Sequence, residues 1–589
     1  MKKRLSIVLG LLALAFPLFA QMHIPPVFKD TSGIRPDKMT RAYITPKRIV
    51  WVSNPTSVKD AFHLLEPNTG QADLENKNMC LLTSQKGDTA SIILDFGREI
   101  HGGLKLVFSQ CSKGETPLMR IRFGESVSET CSELKSITGN PNGATNDHAI
   151  RDFKTVVPFW GQIELGSTGF RFVRIDLLSE DISIFMKEAT AIFRFKDVPY
   201  LGSFKCDDEN LNEIWNVGAY TVHLNMQEYI WDGIKRDRLI WLGDMHPETS
   251  TISRVFGNDD SFYASLDLAC EQWPLPNWLN GMSAYSLWYL IIQHDWYLHN
   301  GDKTYLNNHA AYITGLIDQI DGLVDADGSE HLAAARFLDW PSSPNKEGVE
   351  AGYRALLCWA MDDGAKLCRL LGDESHEKKC HDITARLKKK ILPPNDLKQA
   401  AALMAIAGLM TPEEAATKYI LPRGPKGFST FYGYYMLQAL AMAGKYDEAM
   451  DIIKAFWGGM LKLGATTFWE DFNLDWTENA ARIDDFVPAG KKDIHGDFGA
   501  YCYPGFRHSF CHGWASGPTA WMSEHILGFQ PLEAGCRKLS IKPHLGHLKW
   551  AEGTLPTPYG TVYVKHTKDA AGKVHTTVKA PKDIKIVKQ

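Results

Sequence analysis

Residues 283–301 read S-A-Y-S-L-W-Y-L-I-I-Q-H-D-W-Y-L-H-N-G. Trp288, Leu290, Ile291, Trp296 and Leu298 give this run a broad apolar stripe, and Asn300-Gly301 is a helix stop signal, since glycine reaches the left-handed conformation freely. Segments of the same kind surround it. Ala351 to Leu371 ends at Gly372, Asp396 to Leu409 is alanine-rich, and Thr411-Pro412-Glu413-Glu414 opens a further helix with a capping hydroxyl and a proline in its first turn. Tyr432 to Ala443 and Tyr446 to Leu463 form a pair broken at Gly444, and Trp514 to Leu527 ends at Gly528. Asp207 or Asp208 caps the first of them, which carries Leu211, Ile214 and Trp215. Paired helices with short breaks and no repeat of fixed length predict an α/α toroid or solenoid over residues 201–530, and disfavour tetratricopeptide and ankyrin arrays.

On both sides the texture is β. Ala90 to Phe96, Leu104 to Phe108 and Phe170 to Ile175 cluster strand formers, with glycine and proline between them. A β-sandwich is expected over residues 21–200. Lys538 to Ile541, Gly560 to Val564 and Val574 to Val578 predict a small β-domain over residues 531–589, which is short for an independent unit and should lean on the helical body.

The N-terminus resembles an export signal. Lys2, Lys3 and Arg4 precede the apolar run Leu5 to Phe19, and a cut after Ala20 removes residues 1–20. The run is short for a membrane span, and no other segment has the length for one. The expectation is a secreted, periplasmic protein. Lys+Arg 64 against Asp+Glu 69 leaves a net charge of −5, with no basic surplus for nucleic acid. The 11 cysteines lack C-x-x-C pairs and Cys/His spacing, so most are read as buried free thiols and no metal cage is legible, although calcium in a β-domain loop stays open. No cofactor motif is present: G-x-S-x-G, the P-loop, H-E-x-x-H and a G-x-G-x-x-G in a βαβ setting are all missing.

The chemistry is concentrated in Trp231 to Glu248, W-D-G-I-K-R-D-R-L-I-W-L-G-D-M-H-P-E. Asp232, Asp237 and Asp244 stand five and seven residues apart, which on a helix would scatter them over different faces. Gly233 and Gly243 favour a loop on which they converge at the mouth of the toroid, against the plainer reading of a solvated turn with Asp–Arg pairs. Carboxylates among cations and flat indoles suit a sugar-cleaving site, where one carboxyl donates a proton and others grip hydroxyls. A second cluster is Gly464-Ala465-Thr466-Thr467-Phe468-Trp469-Glu470-Asp471-Phe472, where aromatic neighbours would desolvate Glu470. By itself it reads better as the start of an exposed loop at Glu470 and Asp471. A third is Asp339-Trp340, and a fourth is His508 to Trp514, where His512 precedes a helix.

These segments resemble the bacterial α-L-rhamnosidases, glycoside hydrolase family 78. That family carries D-C-P-x-R-(D)-E-x-x-x-x-x-G-D, matched here from Asp232 through Arg236 and Asp237 to Gly243-Asp244. Its G-A-T-T-x-W-E stands intact at Gly464 to Glu470. Asp339-Trp340, and Ser509 with His512 and Ser516-Gly517, are similar to two further segments, the last stretched by one residue. Leu94 to Gly97, Arg122 to Glu125 and Thr557 to Gly560 resemble its flanking β-regions, so the likeness runs in order along nearly the whole mature chain. The resemblance implies an (α/α)6 barrel between β-domains and inverting hydrolysis of terminal α-L-rhamnosides in oligo- or polysaccharides, with no cofactor. Carried over, Asp237 is the general acid and Glu470 the general base. Asp232, Arg236, Trp241, Asp244, Asp339, Trp340, Trp469 and His512 line the sugar subsite. Two departures stand out: Asp237 replaces the usual glutamate, and Gly233-Ile234 replaces Cys-Pro. They leave Asp232 or Asp244 as alternative donors and a related deoxysugar as an alternative substrate. A polysaccharide lyase using Tyr501, Tyr503 and His512 would leave the paired carboxylates without a role, and a non-catalytic carbohydrate-binding homologue is the reading from another class. The oligomeric state is not legible.

Overall fold

In a computed structural model, residues 24–133, 151–332 and 335–588 are described. The leader expected at residues 1–20 lies outside them. The first region is a nine-stranded sheet in which every pairing is antiparallel. Its spine is the long strand Ser91–Cys111, which pairs with Gly161–Leu177 on one side and Ile182–Phe195 on the other. The pairing with Gly161–Leu177 breaks register between Asp95 and Ile100, where Gly97 takes φ 85°. Such irregularities bend long strands, so the sheet folds over one apolar core that includes Ile92, Leu94, Leu106, Phe123, Phe170 and Ile175.

The helical body follows. Asp208 caps Glu209–Asn225 by accepting from the backbone N–H groups of Asn210 and Leu211. The helix Ser283–Asn300 ends at Gly301 with φ 73°, and Lys346–Leu371 ends at Gly372 with φ 79°, the left-handed stops expected from sequence. Lys346–Leu371 begins five residues before the expected start, capped by the Asn345 side chain on the Gly348 N–H. Neighbouring helices pack in succession: Met245–Val255 on Ser283–Asn300, that helix on Lys346–Leu371, and Lys398–Ile406 on Gly433–Met442. Gly517–Trp521 closes the ring by packing on both Glu209–Asn225 and Gly433–Met442. The result is the six-hairpin toroid, with Trp288, Trp457 and Trp521 among its largest fully buried side chains. No helix among the described residues is long and apolar enough to cross a membrane, and the described cysteines are all free thiols.

The C-terminal β-region holds two small sheets. One takes a strand from far upstream: Ser203–Cys206, just before the first helix, pairs with Trp550–Thr557. The chain segments entering and leaving the toroid are thus joined in one sheet.

Candidate active site

The segment Trp231 to Gly243 is a loop, closed at its neck by hydrogen bonds between Asp232 and Leu239: the Asp232 N–H donates to the Leu239 carbonyl, and the Leu239 N–H to Asp232 Oδ1, each at 3.1 Å. At its tip Asp237 and Arg238 take φ 53° and 51°. Aspartate tolerates the left-handed region better than most residues, whereas for arginine it costs about 1–2 kcal/mol. The β-region holds this tip in place. The Gly169 N–H donates to the Ile234 carbonyl at 2.9 Å, and Arg238 Nη1 donates to the Ser167 carbonyl at 2.9 Å. A Cβ on Gly169 would stand 2.7 Å from Ile234 Cγ1 and 2.9 Å from the Lys235 nitrogen, so this close approach requires glycine. Lys235 itself is buried, with Nζ 2.9 Å from Glu125 Oε2 and bonded to the carbonyls of Phe506 and His508 at 2.6 and 2.7 Å.

The segment carrying Glu470 lies against residues 508–512. The Glu470 N–H donates to the Ser509 carbonyl, and the His512 N–H to the Phe468 carbonyl, both at 2.9 Å. The Gly513 N–H reaches the Asp232 carbonyl at 2.9 Å, which ties this segment to the loop. Glu470 Oε2 accepts from the Ser509 N–H at 3.1 Å and from Arg236 Nη2. The same guanidinium puts Nη1 3.3 Å from Asp237 Oδ2, donates from Nε to the Arg507 carbonyl at 2.6 Å, and lies over the Tyr503 ring at 3.7 Å. One buried cation therefore bridges Asp237 and Glu470.

His512 stands among the remaining carboxyls. Its Nε2 is 3.9 Å from Asp232 Oδ2, 3.8 Å from Asp244 Oδ2 and 4.0 Å from Glu470 Oε1. These gaps are too long for direct hydrogen bonds, and one ligand oxygen between the groups would bond several of them. Burial, then the neighbouring carboxyls, pushes Asp232 well above the usual carboxylate range. Burial pushes Asp244 the same way, against the Tyr285 hydroxyl, which donates to Asp244 Oδ1 at 2.8 Å. Burial and the Arg236 charge hold His512 well below its ordinary value. Neutral acids and a neutral imidazole can each both donate and accept, as recognition of sugar hydroxyls requires.

These groups line a cleft of about 240 Å³, walled by Trp241, Phe337, Trp340, Tyr503 and Trp514. Of the residues singled out from sequence, the structure brings together Asp232, Arg236, Asp237, Trp241, Asp244, Trp340, Glu470 and His512. Two stand apart. Asp339 is buried beneath the wall, where its carboxylate accepts from Gln399 Nε2 at 3.0 Å, from Ser429 Oγ at 2.6 Å and from the Ser342 N–H at 3.0 Å. Trp469 is fully buried and stacks on Phe510 at 4.2 Å, because the chain at Phe468 to Glu470 presents only the glutamate to the cleft. Tyr285 and Trp514 line the cleft without having been singled out; both sit at helix openings, where they read as core. Tyr501, offered as a lyase base, hydrogen-bonds Asp471 and does not line the cleft.

The bacterial α-L-rhamnosidase six-hairpin glycosidase family model matches residues 199–419, and the bacterial α-L-rhamnosidase C-terminal domain matches residues 528–586. An α-L-rhamnosidase of an Alteromonas species is 25% identical over 451 residues, covering 69% of this chain and 46% of that protein. One from Formosa agariphila is 27% identical over 165 residues, covering 27% of this chain and 16% of that protein. The chain thus spans less than half the length of these curated relatives. Among solved structures, the family 78 rhamnosidase of Bacillus sp. GL1 superposes with a TM-score of 0.71 at 18% identity, covering 90% of this chain and 55% of that one. The rhamnosidase of Klebsiella oxytoca with rhamnose bound gives 0.63 at 19%, covering 83% and 96%. At these identities the superpositions speak for the fold. Residues 199–419 and 528–586 thus match, in that order, the six-hairpin and C-terminal domain models of the bacterial α-L-rhamnosidases, and the fold is that of the solved family 78 rhamnosidases.

Proposed function

We propose that the protein is an exported α-L-rhamnosidase that removes terminal rhamnose, or a closely related deoxysugar, from plant-type glycans with inversion. The observation that carries this reading is the bridging of Asp237 and Glu470 by Arg236 at one side of an aromatic-walled cleft. Carboxyls held on two nitrogens of one guanidinium are kept a cation's width apart. An inverting pair places its carboxyls ~6.5–9.5 Å apart, so that a water fits between the base and the anomeric carbon, and this reading requires that separation of Asp237 and Glu470. In this reading Asp237 protonates the glycosidic oxygen, and Glu470 takes a proton from the attacking water. Asp232, Asp244 and His512 hold hydroxyls, and the Trp241 and Trp340 indoles cover the ring's apolar face. A cleft of this size suits the end of a sugar chain better than its middle. The names of the relatives, and the rhamnose bound in the Klebsiella oxytoca enzyme, favour rhamnose as the sugar. The apolar run behind Lys2, Lys3 and Arg4 supports export.

The test is incubation of the purified protein with an aryl α-L-rhamnoside and with rhamnose-bearing plant glycans, followed by proton NMR from the first minutes. Free rhamnose appearing first as the β-anomer is the expected result. No rhamnose from any substrate rejects the activity, and an initial α-anomer rejects inversion.

A further inference from the structure

A second group of ligand-bearing side chains lies between two barrel helices, and none of them lines the cleft. His294 and Asp295 stand on Ser283–Asn300, and Asp363 on Lys346–Leu371, which packs against it. His294 Nδ1 is 3.1 Å from Asp295 Oδ1 and 3.4 Å from Asp363 Oδ1. One donor atom from each of the three lies within 4.8 Å of the others. Asp363 is 1% exposed, and its Oδ2 finds no hydrogen-bond partner among the described residues. An oxygen buried with nothing to bond costs about 1–3 kcal/mol, and more when charged.

We propose that His294, Asp295 and Asp363 bind one divalent transition-metal cation of the zinc class, which pins these two helices together. Donor atoms at ~2.0–2.2 Å from a tetrahedral zinc ion stand about 3.3 Å from one another. The separations of 3.1 and 3.4 Å from His294 to the two carboxylates have that spacing, and the third pair lies within 4.8 Å, a distance that side-chain rotation closes. One imidazole and two carboxylates suit zinc, manganese or cobalt better than the all-oxygen cages of calcium and magnesium. Three protein ligands leave a position for water, and the Asp295 side chain, 42% exposed, opens a path for the ion. Behind the ligands, His246 Nε2 is 3.0 Å from Asp295 Oδ2, while its Nδ1 meets the Tyr435 hydroxyl at 3.0 Å. The ring stacks against Trp288 and Tyr435 at 5.2 and 5.7 Å. A rigid donor on the free oxygen of a ligating carboxylate fixes its orientation, as outer partners do at metal centres.

Two lysines separate this cluster from the other candidate. Glu125, Glu129 and His495 also converge, but the buried Lys235 amine already lies among them, 2.9 Å from Glu125 Oε2, 3.5 Å from Glu129 Oε1 and 3.2 Å from His495 Nε2. In the barrel cluster Lys366 Nζ meets Asp363 Oδ1 at 2.7 Å, but its side chain is 51% exposed. Only the lysine reaches solvent, so its amine can turn into water as the ion arrives and takes over the charge of Asp363.

The experiment uses the full mature chain, stripped with dipicolinate and titrated with Zn²⁺ under calorimetry and thermal melting. Binding near one ion per chain is expected, with a Tm that climbs as Zn²⁺ is raised, as for any ligand of the native state. Asp363→Asn and His294→Gln should each weaken the Kd at least tenfold. No heat and no Tm shift in the wild-type chain overturn the proposal, and this measurement decides it even if a variant does not fold. Undiminished binding in both variants places the ion elsewhere and overturns it equally.

Discussion

Replacing Glu470 by glutamine removes a charge and keeps the shape, so its two effects separate by size. The amide oxygen can still accept from the Ser509 N–H, now 3.1 Å from Oε2, but Arg236 loses one of its two anionic partners. Stranding a buried charge costs about 3–5 kcal/mol. Arg236 is not stranded: it keeps Asp237 at 3.3 Å, the Arg507 carbonyl at 2.6 Å and the Tyr503 face at 3.7 Å. The expected stability loss is therefore that of one hydrogen bond to a charged group, about 1.5–3 kcal/mol, which a domain of ordinary stability survives. Activity should suffer more. An amide cannot take a proton from water, and a general base contributes about 10²–10⁴-fold, equivalent to ~3–5 kcal/mol of barrier. The assay is kcat/KM on an aryl α-L-rhamnoside alongside a thermal melt, with sodium azide added as a nucleophile that needs no base. The expected result is a folded protein with kcat/KM down at least a hundredfold and partly restored by azide. Turnover within tenfold of wild type, in a protein that melts normally, would refute Glu470 as the base.

Three further outcomes follow from the same geometry. Asp237→Asn should lose about 10²–10⁴-fold on rhamnosides with poor leaving groups and far less on dinitrophenyl rhamnoside, whose leaving group needs no proton; equal losses on both would remove Asp237 as the acid. Burial pushes Asp471 up from its ordinary value of 3.8 to about 7. Its stabilising contribution is complete below the unfolded value and disappears as pH rises through about 7, a difference on the order of 4 kcal/mol, so Asp471→Asn should flatten the dependence of Tm on pH between these values. An unchanged slope would show that Asp471 is ionised in the folded protein throughout. Trp469→Phe should lower Tm while leaving KM for an aryl rhamnoside within about twofold, whereas Trp241→Ala should raise KM; a KM effect confined to Trp469 would contradict its burial on Phe510.

The legible parts of this molecule are those where a local rule acts alone. Gly301 and Gly372 end their helices because only their own backbone has to adopt the left-handed conformation. The start of Lys346–Leu371 was hidden because Gly348 looks like a helix breaker, whereas Gly352 already lies within the expected helix. Both are there for close packing: an added Cβ would stand 2.7 Å from Leu397 Cβ at the first and 2.6 Å from Leu338 Cδ1 at the second. The acidic loop was readable because its glycines and charges exclude a helix, yet its glycine partner, Gly169, lies in a β-strand with no local mark of that contact. Sequence could not tell Trp241 from Trp469, since each adjoins charged residues or sites and only the turn of the backbone decides which indole faces the cleft. For the same reason Asp339 read as a sugar ligand, although Gln399 and Ser429 from other elements already occupy its carboxylate.

The pairing of Ser203–Cys206 with Trp550–Thr557 also bears on how the chain folds. Closing so long a loop adds only a logarithmic entropy cost, so equilibrium stability is little affected, but contacts so distant in sequence slow folding. During synthesis the helices can form in order, while Ser203–Cys206 waits as an unpaired edge until the last β-region has left the ribosome. A chain cut before Trp550 keeps every helix and every cleft residue yet carries a permanently open edge, the kind of surface that recruits other chains. Aggregation of such truncations, more than loss of the cleft itself, is then what limits how short the protein can be made.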